Sequence, residues 1–188
     1  RSHCVNCSES KKGLSCIVDV DDALKLNIKY AVENVLLNEI IKIGTDSPGF
    51  VFDYEDLNVP IDMVYIKKLD KRVKKLTTGG VSVLFAFLNQ KSKPFINNPL
   101  VHPNSDLQKS PTGILAFNLE NEISSKYYRA ALEFLIERYT REDKKYGLVS
   151  GIIVTVKEIS HFKPIVIGSS VFFVISSEAG SLPDNPGH

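Results

Sequence analysis

The nine residues Val81-Ser82-Val83-Leu84-Phe85-Ala86-Phe87-Leu88-Asn89 decide the fold. They are almost continuously apolar and rich in β-branched and aromatic side chains. Such a run predicts a strand buried on both faces, as in a parallel sheet. Before it, Asp62 to Thr78 reads as a helix closed by Gly79-Gly80. Val64, Leu69, Val73 and Leu76 form its apolar stripe, and Lys67, Lys68, Lys71, Arg72, Lys74 and Lys75 its solvated face. After the strand, Gln90 to Pro111 is a loop carrying Pro94, Pro99, Pro103 and Pro111. Loops of that length in compact domains are usually functional or unstructured.

The pattern repeats outward in both directions. Asn121-Glu122 opens a second helix that runs to about Tyr139, with Tyr127, Ala131, Phe134 and Leu135 on its buried stripe. Leu148 to Val156 is another apolar, β-branched strand. Upstream, the Asp residues of Asp19-Val20-Asp21-Asp22 suit the cap and first turn of a short helix ending near Asn27. Ile28 to Leu37 then reads as a strand, with a helix as competitor because Ala31, Val35 and Leu36 also fit a 3.6-residue period. Gly44 to Pro60 reads as a turn-rich segment around Ser47-Pro48-Gly49, with Phe50 to Asp53 as a short strand within it. Strands alternating with helices predict an α/β fold of parallel strands joined by right-handed crossovers.

Composition narrows the function. The chain has 188 residues, 23 Lys+Arg against 22 Asp+Glu, and a formal charge of +1. That balance argues against a nucleic-acid surface built on bulk positive charge. No apolar run is long enough to span a membrane. The three cysteines, Cys4, Cys7 and Cys16, are an odd set near the start. Cys4 and Cys7 have the C-x-x-C spacing of half a zinc site, and His3 lies beside them. The second closely spaced ligand pair of a structural site is missing, so no metal is expected. Asn6-Cys7-Ser8 fits the glycosylation pattern only formally. There is no G-x-S-x-G, P-loop, G-x-G-x-x-G or H-E-x-x-H pattern, and no cofactor is expected.

In parallel α/β folds, reactive groups gather at the C-terminal ends of strands. Asn34 and Asn38, which flank the end of the first strand, Asn89, which ends the second, and Glu158, which ends the last, meet that criterion. A glutamate at a strand end beside Lys157 is a candidate general acid/base. The competing reading is a surface glutamate paired with its neighbour. His102, between Val101 and Pro103, carries an imidazole able to give or take a proton, although a lone loop histidine is more often a hydrogen-bonded surface residue. Asp46, Asp53, Glu55 and Asp56 offer oxygens to sugar hydroxyls or calcium, without EF-hand spacing.

Several blocks in order carry a family resemblance. They are Asp19-Val20-Asp21-Asp22-Ala23-Leu24-Lys25-Leu26-Asn27-Ile28-Lys29-Tyr30-Ala31, Ser47-Pro48-Gly49-Phe50-Val51-Phe52-Asp53, and Tyr65-Ile66-Lys67-Lys68-Leu69-Asp70 with Gly80-Val81. Leu100-Val101-His102-Pro103 and Ala116-Phe117-Asn118, leading into Tyr128 to Tyr139, complete the set. Together they span roughly residues 13 to 153 and resemble a bacterial family of glycoside-hydrolase-like TIM barrels. That family is similar to the retaining-glycosidase clan in which an Asn-Glu pair ends the fourth strand.

The resemblance implies a partial (β/α) barrel, roughly its first four βα units, since a complete one needs at least about 200 residues. It implies a half-barrel domain over 13–160, while the residues themselves read as a flexible start over 1–12 and an extra strand with a Pro/Gly-rich tail over 161–188. It implies carbohydrate as the partner, with Glu158 as acid/base and Asn34, Asn89, His102 and Asn118 holding substrate. The sequence departs from the clan at Thr155-Val156-Lys157-Glu158, where the Asn before the Glu is absent. No seventh-strand nucleophile follows. Retention needs two carboxylates, so the chain alone is expected to be inactive. The alternative is a non-catalytic carbohydrate-binding module, or one that self-associates through an open sheet edge. A family-like protein would be secreted or displayed on the cell surface, but no signal peptide is recognisable here.

Overall fold

The computed structural model describes residues 13–15, 19–43, 49–90, 100–105, 113–154, 166–167 and 170–171. In chain order the elements are β1 (Gly13–Ser15), α1 (Val20–Lys25), β2 (Tyr30–Leu36), α2 (Leu37–Ile40), β3 (Val51–Tyr54) and β4 (Leu57–Pro60). There follow α3 (Met63–Thr78), β5 (Ser82–Gln90), β6 (Ile114–Leu115), α4 (Glu122–Tyr139), β7 (Val149–Val154), β8 (Val166–Ile167) and β9 (Ser170–Val171).

Local chemistry sets the helix starts. Asp19 Oδ1 accepts from the backbone of Asp21 at 2.7 Å, and Asp62 Oδ1 accepts from Val64 at 2.8 Å and Tyr65 at 3.1 Å. Asn121 Oδ1 accepts from Ser124 N at 3.1 Å. Each cap satisfies donors that the first helical turn leaves free, contributing about 1 kcal/mol.

Strands β1, β2, β5 and β7 pair in parallel, in that spatial order. Each crossover therefore moves to the same side, and right-handed crossovers of that kind lay their helices on one face. The side chains agree. Glu33 of β2 stands beside Phe85 of β5 in register. Glu33 pairs with Arg72 of α3, and Phe85 meets Tyr139 of α4 edge-on at 5.1 Å. Both helices thus cover the face formed by Val83, Phe85, Phe87 and Asn89. This is the build of a barrel wall, and it confirms the α/β reading with parallel strands.

The expectation that β5 is buried on both faces is corrected. Val83, Phe85, Phe87 and Asn89 are at most 1% exposed. Ser82, Leu84, Ala86 and Leu88 are only half-buried, as are Val32, Leu36 and Ile153 beside them. Among the described residues, one face carries a helical layer and the other does not, although both are apolar. The stripe of α3 is also corrected. Val64 is 66% exposed, and Ile66, Leu69, Val73 and Leu76 are buried.

The turn-rich segment before α3 is a hairpin. β3 and β4 pair antiparallel around Glu55-Asp56, with Glu55 at a φ of 52°. Phe52 meets Phe134 of α4 edge-on at 5.5 Å, so the hairpin folds over that helix. Asp70 of α3 ties the two long helices together. It accepts from Arg138 Nε at 2.8 Å, Arg138 Nη2 at 2.7 Å and the Tyr139 hydroxyl at 2.9 Å. The Arg138 guanidinium also lies 3.5 Å from the centre of the Tyr146 ring. At the end of the described chain, β8 and β9 form a two-residue antiparallel pair.

Candidate functional site

The site gathers at the C-terminal end of β5. Asn89 is fully buried there, and its Nδ2 donates to the carbonyl of Leu100 at 2.8 Å. The same carbonyl accepts from the backbone N–H of Asn118 at 2.9 Å. β6 pairs antiparallel with Asn89 and Gln90, and Val101 bridges Phe117. His102 N donates to Ala116 O at 3.0 Å. One carbonyl and one short ladder therefore stitch residues 100–102 and 114–118 over the strand end.

His102 is oriented by its neighbours. Its Nδ1 accepts from Asn104 N at 3.2 Å. An acceptor nitrogen carries no proton, so the neutral ring is the Nε2–H tautomer. That Nε2 faces Glu120 Oε2 at 4.0 Å, and Glu120 is 90% exposed. The pair is too long for a direct hydrogen bond and leaves room for a polar atom to engage either partner.

The packing beneath these segments is aromatic. The Tyr128 ring meets Phe117 edge-on at 5.0 Å and Phe87 at 6.4 Å. Burial pushes the Tyr128 phenol far above its usual range. Among the described residues its hydroxyl has no hydrogen-bond partner, and neither has Asn89 Oδ1. Such groups cost roughly 1–3 kcal/mol each when buried.

Of the residues singled out by sequence, Asn89, His102 and Asn118 are brought together. Asn34 stands apart, exposed on the open face of β2 and in register with Ala86. Asn38 is buried in α2. Glu158, the acid/base candidate, lies outside the described residues, as do Cys4, Cys7, Cys16 and Asp46. Of the acidic cluster, Asp56 pairs with Lys126 at 2.9 Å. Among the described residues no group of three or more His, Cys, Asp or Glu could hold a metal ion. Likewise, no helix among them is long and apolar enough to cross a membrane. Sequence reasoning missed Glu120, whose only signal was its place in the turn that opens α4.

Residues 5–161 match a family described as a family of unknown function, DUF5722. The chain belongs to that family. None of the curated proteins matches it. Among solved structures, this family member is similar to the 1.9 Å crystal structure of the uncharacterized protein lmo2446 from Listeria monocytogenes EGD-e. The two share 11% identity with a TM-score of 0.42, over 78% of this chain. The chain spans 16% of that protein's length.

Proposed function

We propose that this DUF5722 domain is part of a glycoside-hydrolase-like framework and contributes its carbohydrate-binding edge. The observation that carries the reading is the convergence of Asn89, His102 and Asn118 at the C-terminal end of a parallel strand. That is the end at which parallel α/β folds place their ligands. A sugar needs fixed, neutral hydrogen-bonding groups beside an apolar surface. The Asn118 amide, His102 Nε2–H and the part-exposed ring of Phe117 meet that need, with Tyr128 buried behind that ring. Glu158 is the proposed acid/base of the framework. Retention also requires a second carboxylate about 5–5.5 Å away. With no residue of this chain assigned that role, the chain alone is expected to hold sugar without cleaving it.

Titration calorimetry against soluble gluco-, xylo- and manno-oligosaccharides, with a reducing-end assay alongside, tests both halves. Binding is expected, weakened about fivefold or more by Asn118→Ala through loss of one net hydrogen bond. No binding to any member of the panel refutes the carbohydrate reading. Hydrolysis abolished by Glu158→Gln refutes the expectation of inactivity. A second reading is a self-associating module, favoured by the half-buried apolar face of Val32, Leu84, Ala86 and Leu88. Light scattering distinguishes it, because a strict monomer at high concentration removes it.

A further inference from the structure

The opposite end of the sheet holds a second feature, independent of the carbohydrate reading. A pocket of about 330 Å³ opens between the C-terminal turn of α3 and the starts of β5 and β7. Lys74, Lys144, Thr78, Ser82 and Ser150 line it, and among the described residues no carboxylate does. A second pocket, of about 510 Å³, adjoins it and shares Lys74 and Thr78. Lys71 and Lys75 line that one.

Two features make the convergence of Lys74 and Lys144 more than surface chance. α3 carries six cations and one carboxylate, Asp70. Arg72 is engaged by Glu33, Lys75 by Asp21, and Asp70 by Arg138. Lys74 and Lys144 have no ion pair among the described residues. The second feature is how Lys144 is placed. It sits at a φ of 48°, a conformation few non-glycine residues adopt. The turn is held by Lys144 N donating to Arg141 O and Gly147 N donating to Lys144 O, both at 3.0 Å. Asp143 braces it by accepting from Arg141 Nε at 3.0 Å and Lys145 N at 3.1 Å. The Arg141 guanidinium holds the Asp143 carboxyl down to about 2, so that charge is present and already engaged.

Two lysines on one concavity, with no acid among its described lining residues, favour an anion that both can reach. The helix end does not oppose one strongly. Its last carbonyls already accept from Gly79, Gly80 and Val81. The hydroxyls of Thr78, Ser82 and Ser150 have no side-chain hydrogen bond among the described residues and can donate. Two cations and three hydroxyl donors around a small concavity match a tetrahedral oxyanion. We propose that this pocket binds the phosphate group of a small phosphate-bearing ligand.

The test uses the full chain, labelled with ¹⁵N and titrated with inorganic phosphate at constant ionic strength set by sodium chloride. Saturable amide shifts are expected at Thr78, Ser82 and Ser150. Lys74→Gln and Lys144→Gln are each expected to weaken binding about tenfold, the loss of one charge-assisted hydrogen bond. Lys67→Gln, on the same helix but outside the pocket, is expected to leave it unchanged. Circular dichroism checks folding, and Lys74→Gln carries the test alone if Lys144→Gln unfolds. A short single-stranded oligonucleotide and phosphatidylglycerol vesicles form the other arms. The proposal is overturned if phosphate gives no saturable response beyond chloride, or if Lys67→Gln weakens binding as much as Lys74→Gln. It is also overturned if oligonucleotide or vesicles bind and phosphate does not, which would mark a diffuse basic face instead.

Discussion

Replacing Gly147 by alanine is expected to destabilise the fold far more than the same change at Gly80. Gly147 has a φ of 97°, and a methyl group there would lie 2.8 Å from Lys74 N and 2.9 Å from Lys74 Cα and Val73 C. All three are backbone atoms of α3, which cannot rotate away as a side-chain tip can. Ordinary carbon contacts sit at about 3.5–4.0 Å, so the loop must retreat from the helix by roughly 0.6–1 Å. Overpacking of that kind costs about 1–3 kcal/mol. The left-handed conformation adds about 1–2 kcal/mol for any side chain. The expected total is about 3 kcal/mol. Gly80 has a φ of 78° but nothing within 4 Å of the added methyl. Its variant carries the conformational part alone, about 1–2 kcal/mol. Urea unfolding followed by circular dichroism measures both. With a slope of about 2 kcal/mol per molar urea, Gly147→Ala lowers the midpoint by about 1.5 M and Gly80→Ala by about half that. If Gly147→Ala is no worse than Gly80→Ala, the close packing of the 141–147 turn on α3 is wrong. The placement of Lys144 beside Lys74 then fails with it.

Two further outcomes follow from buried polar groups. Asp70→Asn is expected to cost about 2–4 kcal/mol by thermal or urea unfolding. It leaves Arg138, whose side chain is 13% exposed, without its counter-charge. A loss below 1 kcal/mol would contradict the role of this pair in joining the helices. Tyr128→Phe is expected to stabilise by about 1 kcal/mol, since it deletes a buried hydroxyl that has no partner among the described residues. The same variant bears on pH. Burial raises the Tyr128 phenol in the folded state and, with Asp70 nearby, raises that of Tyr139. The unfolded chain ionises first, so stability is whole below about pH 10 and falls above it. Tyr128→Phe is expected to make that alkaline loss shallower, and an unchanged slope would count against its burial.

Much of the secondary structure was legible because its causes are local. Asp19, Asp62 and Asn121 mark helix starts through bonds to residues two or three positions on. The run from Val81 to Asn89 can form little but a strand. Even the misread stripe of α3 had its signal in the chain. Ile66, Leu69, Val73 and Leu76 follow the three-and-four spacing better than a stripe that begins at Val64. The hairpin at 51–60 was half-seen, because Glu55 in a left-handed turn lacks the glycine that usually announces one.

The site was legible only as separate candidates. Asn89, His102 and Asn118 could each be named, but the meeting of Asn89 and Asn118 at the carbonyl of Leu100, with His102 tied to Ala116 beside it, joins segments eleven and more residues apart. Asn34 had the same credentials and lies elsewhere, because a strand sends alternate side chains to opposite faces. The amino-acid sequence by itself determined the alternation of strands and helices, and with it a parallel sheet. Only the tertiary structure decided that both long helices lie on one face, leaving the apolar residues of the other half-exposed. It also decided which charges are set near one another, pairing Asp70 with Arg138 and placing Lys74 and Lys144 on one pocket. Hydrophobic period and capping act within a few residues. Pairing between distant groups depends on how the packed elements are set against one another, which no local pattern records.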